Sequence, residues 1–403
     1  MLVILSPGQG AQSPGMLEPW LDLDGARARM SWFSAVCGID LVALGTTADA
    51  EEIKDTAVTQ PLVVALGLLA ADELGLLRSD GGAPADTTLS AGHSVGEITA
   101  AAVAGTLSPE AAIAFAAVRG REMAAACRLA PTGMSALLGG DEEQVLARLG
   151  ELGLTPANRN GAGQIVAAGA MDALTALAAN PPAKARVLPL SVAGAFHTSY
   201  MQPAQDALSV FADGISASDP SRLLLTNSDG TAVETGRGTV RRLVAQLTSP
   251  VRFDSCLAAM RDIGVRGIIE LPPAGVLAGL VKRELKGVPV VAVKTPDDLD
   301  AARDMLTQQS GKTEDEHRPD WRMVVAPVRG TVSLAEVSEG ANVGAGTPLG
   351  LVTSRREAVH LSAGYDGVLA EWLVVDGDLV DAGDPIARLY PTKTAIPDRG
   401  ARR

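Results

Sequence analysis

Aromatic side chains make up only 3 % of this 403-residue chain, so its core must be built from Ala, Val and Leu. Cysteine is equally scarce. Cys37, Cys127 and Cys256 lie far apart with no CxxC spacing, which excludes a disulfide framework and a zinc site and suits a reducing cytoplasm. Positive charge is in deficit: 34 basic against 47 acidic side chains leave a formal charge of −13, which disfavours a nucleic-acid binder and leaves partner recognition to local basic patches. Long uncharged runs are missing as well. The most apolar stretches are cut by Asp72-Glu73 or by Ser108-Pro109-Glu110, short of the ~18 residues a membrane-spanning helix needs. The N-terminal MLVIL run has no basic flank and reads as a buried strand, not a signal peptide.

What is present is globular composition, with 47 % hydrophobic and 20 % charged residues, and a length that suggests two or three domains. The first ~295 residues alternate strand and helix signals, an α/β pattern. Leu2–Leu5 reads as a strand that ends in a Gly-rich turn. Gln60–Leu77 reads as a buried helix, and Thr88–Ala91 as a strand that runs into Gly92-His-Ser-Val-Gly96. Two Ala-rich helices follow, divided at Ser108-Pro109, an N-cap followed by a favoured first helical residue. From 131 to 190 the rhythm becomes β-α-β-β-α-β, which suits a ferredoxin-like subdomain inserted into a core of residues 1–130 and 191–306. Residues 307–321 are polar and charged and read as a linker.

Residues 322–391 hold an internal repeat. Ala326, Gly330, Gly340, Val343, Gly346 and Leu349 recur 37 positions later as Ala363, Gly367, Gly377, Val380, Gly383 and Ile386. Matched turn glycines in two β-rich halves imply a pseudo-twofold β-sandwich or flattened barrel. Residues 392–403 read as a frayed tail.

Gly92-His93-Ser94-Val95-Gly96 fits the G-x-S-x-G nucleophile elbow, a strand before it and a helix after it. The blander reading is a Gly-rich turn with a Ser cap; the strand–helix context favours the nucleophile. A nucleophilic Ser needs a base, and the chain has four histidines. His93 is too close in sequence to turn back on Ser94, His317 sits in the charged stretch and His360 in the repeat. His197 is left by elimination as general base. Arg119 directly follows the apolar run Ala111–Val118. By pattern alone it begins a solvated face; as a buried fork it would suit a substrate carboxylate.

Six ordered motifs over residues 1–306 resemble the malonyl-CoA:acyl carrier protein transacylase family: Pro7-Gly-Gln-Gly-Ala-Gln12, Gly92-His-Ser-Val-Gly-Glu97, Arg119-Gly120 with Met123, Asn158-x-Asn160 with Gln164, Gly194-Ala-Phe-His197 and Gln246-Leu-Thr-Ser-Pro-Val251. The resemblance implies an α/β-hydrolase-like core and a malonyl ester on Ser94 with His197 as base. It further implies an oxyanion hole from the backbone N–H groups of Gln9 and Val95. On the substrate side it implies Arg119 on the malonyl carboxylate, Asn160 nearby, and Gln246, whose main-chain carbonyl orients the histidine in place of a triad carboxylate. The acyl acceptor is then acyl carrier protein and the donor a coenzyme A thioester, in fatty-acid or polyketide synthesis, without metal or cofactor. Glu270-Leu-Pro-Pro-Ala-Gly275 departs from the family's Gly-Pro-Gly. Lys282, Arg283 and Lys286 are either a basic patch for an acidic carrier or a solvated helix face.

The C-terminal repeat resembles a biotinyl/lipoyl domain, whose central hairpin carries a modified lysine. The matching stretch is read as Glu357-Ala-Val-His360-Leu361, and no lysine lies between Lys312 and Lys393. Neither biotin nor lipoate is therefore expected. The module then packs on the core or binds another protein. Two rival readings stay open for the chain: a serine hydrolase of acyl thioesters using the same Ser94–His197 pair, and a non-catalytic scaffold.

Overall fold

The computed structural model describes residues 1–77, 87–316, 322–354, 357–364 and 366–391. They form two units, Met1–Lys312 and Thr313–Arg403. The tail from 392 onward lies outside the described residues.

The first unit is built on five parallel strands in the order β10-β9-β1-β2-β7, formed by Leu2–Ser6 (β1), Thr88–Gly92 (β2), Leu223–Leu224 (β7), Gly267–Glu270 (β9) and Val290–Ala292 (β10). The unbroken apolar run of β1 is what a central parallel strand requires, because helices cover both its faces. Leu2 and Ile4 enter one hydrophobic cluster, Val3 and Leu5 another on the opposite face. Among the covering helices, Thr56–Glu73 starts on the Asp55 side chain, which accepts from Ala57 N at 2.9 Å. Helix Pro109–Cys127 starts on Ser108 Oγ, which accepts from Ala111 N at 3.1 Å.

A second sheet interrupts this core. Thr132–Gly139 (β3), Thr155–Gly161 (β4), Gln164–Ala170 (β5) and Ala185–Pro189 (β6), with helices Glu142–Glu151 and Met171–Ala179, run in the order β6-β3-β5-β4. Their pairings are antiparallel, and Val251–Arg252 (β8) of the core adds in parallel to β4. Strand β4 has half-buried positions along most of its length and Pro156 inside it, so its own pattern is the weakest of the four. The stretch read as a linker begins later than the composition suggests: helix Leu299–Glu316 carries through residues 307–316. These residues hold no proline, and Gln, Lys and Glu continue a helix without penalty.

The second unit is all-β. Arg322–Val325 (β11), Gly330–Leu334 (β12), Asn342–Val343 (β13), Pro348–Thr353 (β14), Ala358–Ser362 (β15), Gly367–Trp372 (β16), Leu379–Val380 (β17) and Pro385–Pro391 (β18) make two sheets, β11-β18-β16-β13 and β15-β14-β12-β17. Advancing each strand of one sheet by four positions in the chain generates the other. The registers repeat with the sequence: Val332 opposite Val352 recurs as Leu369 opposite Leu389, and Val343 opposite Gly367 answers Gly330 opposite Val380. One expectation fails here. His360 is not at the hairpin tip; it pairs with Leu351 inside β15, and Thr353 pairs with Ala358. Beyond that last pair, Ser354 N donates to Glu357 O at 2.8 Å. Arg355 and Arg356 lie outside the described residues.

Among the described residues no helix is long and apolar enough to cross a membrane, and no group of three or more His, Cys, Asp or Glu could hold a metal ion.

Candidate active site

Ser94 sits on the turn between β2 and helix Gly96–Val103 at φ +54°, in the left-handed region. The turn is possible only with glycine on both sides. A Cβ on Gly92 would lie 2.2 Å from the Gly96 carbonyl carbon, and one on Gly96 would lie 2.2 Å from Ser6 O. The strained turn lifts Ser94 Oγ towards His197, whose Nε2 is 2.8 Å away. His197 Nδ1 lies 2.8 Å from the main-chain carbonyl of Gln246. A carbonyl can only accept, so Nδ1 carries the proton and Nε2 presents its lone pair to the Ser94 hydroxyl. Burial and then the charge of Arg119 push the His197 imidazolium down to about 3, so the ring rests neutral.

Arg119 is only 1 % exposed. The face that pattern alone assigned to solvent is turned inward because helix Pro109–Cys127 packs along helix Thr56–Glu73; the exposed face begins at Arg121. Its Nη1 donates to Gln60 Oε1 at 2.7 Å, while Nη2 donates to Gln246 Oε1 at 2.9 Å and reaches Ser94 Oγ at 3.4 Å. Both amide oxygens are neutral, so the guanidinium is oriented without a carboxylate in direct contact. Burial lowers its pKa to about 10 against the pull of Glu97, leaving it charged.

Gln9, Ser94, Val95, Arg119, Phe196 and His197 line an inner cavity of about 80 Å³. The Gln9 side chain is turned aside, its Nε2 donating to Thr56 Oγ1 at 3.4 Å. The inner cavity shares Gln9, His93 and Leu190 with an outer cleft of about 480 Å³ that also meets Gln12, Lys54 and Leu280. Asn160 lines this outer cleft, where its Oδ1 lies 2.9 Å from His93 Nε2. Gln246, grouped by the sequence with the substrate-side residues, lies behind the cavity wall instead. It is 5 % exposed, and its amide is committed to Arg119 and Glu97.

Three residues that sequence reasoning left without a role complete the arrangement. Gln60 holds Arg119. Glu97 accepts from Asn227 N at 2.6 Å and from Gln246 Nε2. Asn227 Oδ1 accepts from Ser94 N, and its Nδ2 donates to Gly92 O, each at 2.8 Å. Glu97 closes the elbow motif, so its position was on view, but nothing local marks an acidic residue on an Ala-rich helix as buried. Burial raises its pKa to about 7 against the donors around it. Cys37, Cys127 and Cys256 are unpaired, and the elbow does not use them.

Residues 3–311 match the acyl transferase domain family. The malonyl CoA-acyl carrier protein transacylase of Mycolicibacterium smegmatis is 56 % identical over 289 residues, covering 71 % of this chain and 98 % of that protein. The crystal structure of MCAT from Mycobacterium tuberculosis superposes with a TM-score of 0.72 at 54 % identity, covering 75 % of this chain and 99 % of that one. A type II PKS acyl-carrier protein in complex with its malonyl-transacylase gives 0.69 at 29 % identity, over 75 % of this chain and 99 % of the matched chain. The family match stops at 311, so it leaves the β-rich unit unmatched.

Proposed function

We propose, for a chain that belongs to the malonyl CoA-acyl carrier protein transacylases, a two-step exchange through Ser94. The protein transfers a malonyl group from malonyl-CoA to acyl carrier protein. In the first step His197 Nε2 takes the Ser94 proton as Oγ attacks the thioester carbonyl. The tetrahedral adduct collapses, the C–S bond breaks, and the proton leaves with the coenzyme A thiol. In the second step the phosphopantetheine thiol gives its proton to His197, sulfur attacks the malonyl ester, and Ser94 Oγ leaves with the proton returned. The backbone N–H groups of Gln9 and Val95 serve the oxyanion in both steps.

The observation that carries this reading is the 2.8 Å Ser94–His197 contact beside a buried arginine oriented by two neutral amide oxygens. Arg119 is then the receptor for the malonyl carboxylate. Met123, Met134, Val166 and Phe196 around the same cavity keep water from the ester. Asn160, with His93, belongs to the cleft through which a pantetheine arm passes. The exposed Lys282, Arg283 and Lys286 follow Val276, Leu277 and Leu280 of that cleft and suit an acidic carrier.

For residues 322–391 the reading is a biotinyl/lipoyl-like fold that carries no prosthetic group. The matched strand registers of its two halves support the fold. The residues do not fit the cofactor: no lysine lies between Lys312 and Lys393 to form the amide. The unit is left as a packing or protein-binding module. The three free thiols suit a reducing cytoplasm.

Intact-protein mass spectrometry after brief exposure to malonyl-CoA tests the core reading. A malonyl adduct on Ser94 that moves to added phosphopantetheinylated carrier is the expected result. An adduct that decays to free malonate with the carrier ignored would make the protein a hydrolase, and no adduct would overturn the Ser94 assignment. The same spectrum of the untreated protein should show no biotin or lipoyl mass.

A further inference from the structure

The Glu97 side chain lines neither cavity, while its backbone N–H donates to Ser94 O at 3.0 Å, and its carboxylate is joined to every working part of the site. It is 6 % exposed. Its Oε1 accepts from the backbone N–H of Asn227 at 2.6 Å, and its Oε2 accepts from Gln246 Nε2. Two donors therefore converge on one group, the surrounding of an ionised carboxylate, which has acceptors only.

We propose that Glu97 is the positioning residue that sets the polarity of the site by fixing which way the Gln246 amide faces. With Nε2 held by Glu97, Oε1 is turned to Arg119 at 2.9 Å. Arg119 then meets two carbonyl oxygens, from Gln60 and Gln246, and keeps its charge for the substrate. Gln246 lends its main-chain carbonyl to His197 as well, and Asn227 lends its side chain to the elbow backbone. One carboxylate thus orients the arginine and buttresses both nucleophile and base. It does so from one amide away, close enough to fix Arg119 and not in contact with it, so the guanidinium is not neutralised in advance.

The polarity argument makes Glu97→Gln informative, because the change is nearly isosteric. The Asn227 N–H is part of the backbone and cannot reverse, so the new side chain must give it the oxygen and give its NH₂ to Gln246. Gln246 must then reverse, placing Nε2 against Arg119, donor to donor. Arg119 loses one of its two amide acceptors and with it the aim of its fork.

This inference rests on the reading that Arg119 receives the substrate carboxylate. The test is kcat/KM for acylation of Ser94 by malonyl-CoA and by acetyl-CoA, in the full-length protein and in Glu97→Gln, Glu97→Asp and Arg119→Ala. The expected result is a malonyl-to-acetyl ratio that falls roughly tenfold or more in Glu97→Gln and recovers in Glu97→Asp, which is again acceptor-only. A changed ratio in Arg119→Ala with an unchanged one in Glu97→Gln would overturn the role of Glu97 alone. An unchanged ratio in both would overturn the reading beneath it. Should Glu97→Gln fail to fold, neutron diffraction from crystals of the wild-type protein grown above pH 8, over the Glu97 pKa of about 7, reads the same polarity. Deuterium on Gln246 Nε2 directed at a bare Glu97 carboxylate is expected, and a deuterated Glu97 donating to Gln246 would overturn the proposal.

Discussion

Replacing Arg119 by alanine removes the guanidinium from the cavity beside Ser94, and the structure says what should change and by how much. On the proposed reading, Arg119 with malonyl bound would be one half of a buried, hydrogen-bonded charge pair. Truncating one partner of such a pair costs about 2–5 kcal/mol, which at about 1.4 kcal/mol per decade is a loss of roughly 30-fold to several thousand-fold in kcat/KM for malonyl-CoA. An acetyl group has no carboxylate to lose. It stands to gain, since the charge of Arg119 is the second cause, after burial, that depresses the His197 imidazolium. Acetyl transfer is therefore expected to hold or rise. The substitution also strands the amide oxygens of Gln60 and Gln246, at about 1–3 kcal/mol for each left unsatisfied. Activity must then be read below a melting temperature measured on the same sample. Arg119→Lys separates charge from shape: an ammonium keeps the charge but cannot span both amides and also present a fork, so its ratio should fall between wild type and alanine. The assay is single-turnover acylation with each donor. Equal loss of malonyl and acetyl transfer in folded Arg119→Ala would refute the argument and reduce Arg119 to a structural residue.

Acylation by acetyl-CoA in Glu97→Gln, which removes the carboxylate that titrates at about 7, should be flat from pH 8 to pH 5, because His197 with its pKa of about 3 stays a free base throughout; an acid limb centred near 6.5 would mark an ordinary solvated histidine. The same burial sets a stability slope. Between pH 6.5 and 3 the unfolded chain binds a proton that folded His197 refuses, while Glu97, raised to about 7, gives the opposite slope down to 4.5; the His197 part is read as the stability of wild type minus that of His197→Gln, which should fall as pH falls through that window. Gln246→Glu puts a carboxylate within bonding distance of Arg119, where Gln246 Oε1 now lies at 2.9 Å; the malonyl-to-acetyl ratio should drop as it does in Arg119→Ala, and an unchanged ratio would show that the charge of Arg119 is not what malonyl meets. Charge reversal at Lys282 and Arg283 should raise KM for the carrier and leave acylation by malonyl-CoA as it was, and equal carrier kinetics would assign both residues to an ordinary solvated face. Scanning calorimetry should resolve two transitions, since the hydrophobic cluster of the second unit shares no residue with those of the first; a single cooperative transition would contradict this.

Much of this site could be read in the sequence because its chemistry depends on local turns. The elbow needs Gly92 and Gly96 at fixed spacing, and the scarcity of histidine pointed to His197. The 37-residue repeat fixed the strand equivalences of the second unit through turn glycines that no other residue replaces as easily. What stayed hidden was set by long-range packing. Arg119 looks solvated in its own helix, and only the neighbouring helix Thr56–Glu73 buries it. Gln60 reads as one polar residue on an apolar helix. Asn227 and Glu97 are 130 residues apart and meet only because β2 and β7 are neighbours in the sheet. The hairpin tip was misplaced for a related reason. The register of β14 on β15 decides it, and Glu357-Ala-Val-His360 looks the same in sequence whether it forms a turn or a strand.

The arrangement resolves a conflict inherent in the reaction. A base for Ser94 must be neutral at rest, and a receptor for malonyl must be positive, yet the two groups lie on either side of one serine oxygen. Placing a carboxylate directly on Arg119 would protect the base but abolish the receptor. Leaving Arg119 with no anion nearby would hold a bare charge in a dry interior at high cost. Two neutral amides with Glu97 behind one of them give an intermediate solution, in which the positive field reaches the cavity and the compensating charge lies outside it. On the proposed reading, an arriving malonyl carboxylate offsets the Arg119 charge that, second to burial, lowers the His197 pKa. The imidazole then accepts the Ser94 proton more readily at the moment the correct acyl group is in place. Selection and activation are on this account the same electrostatic event, and a neutral acyl group that fits the cavity meets a weaker base for want of its own charge.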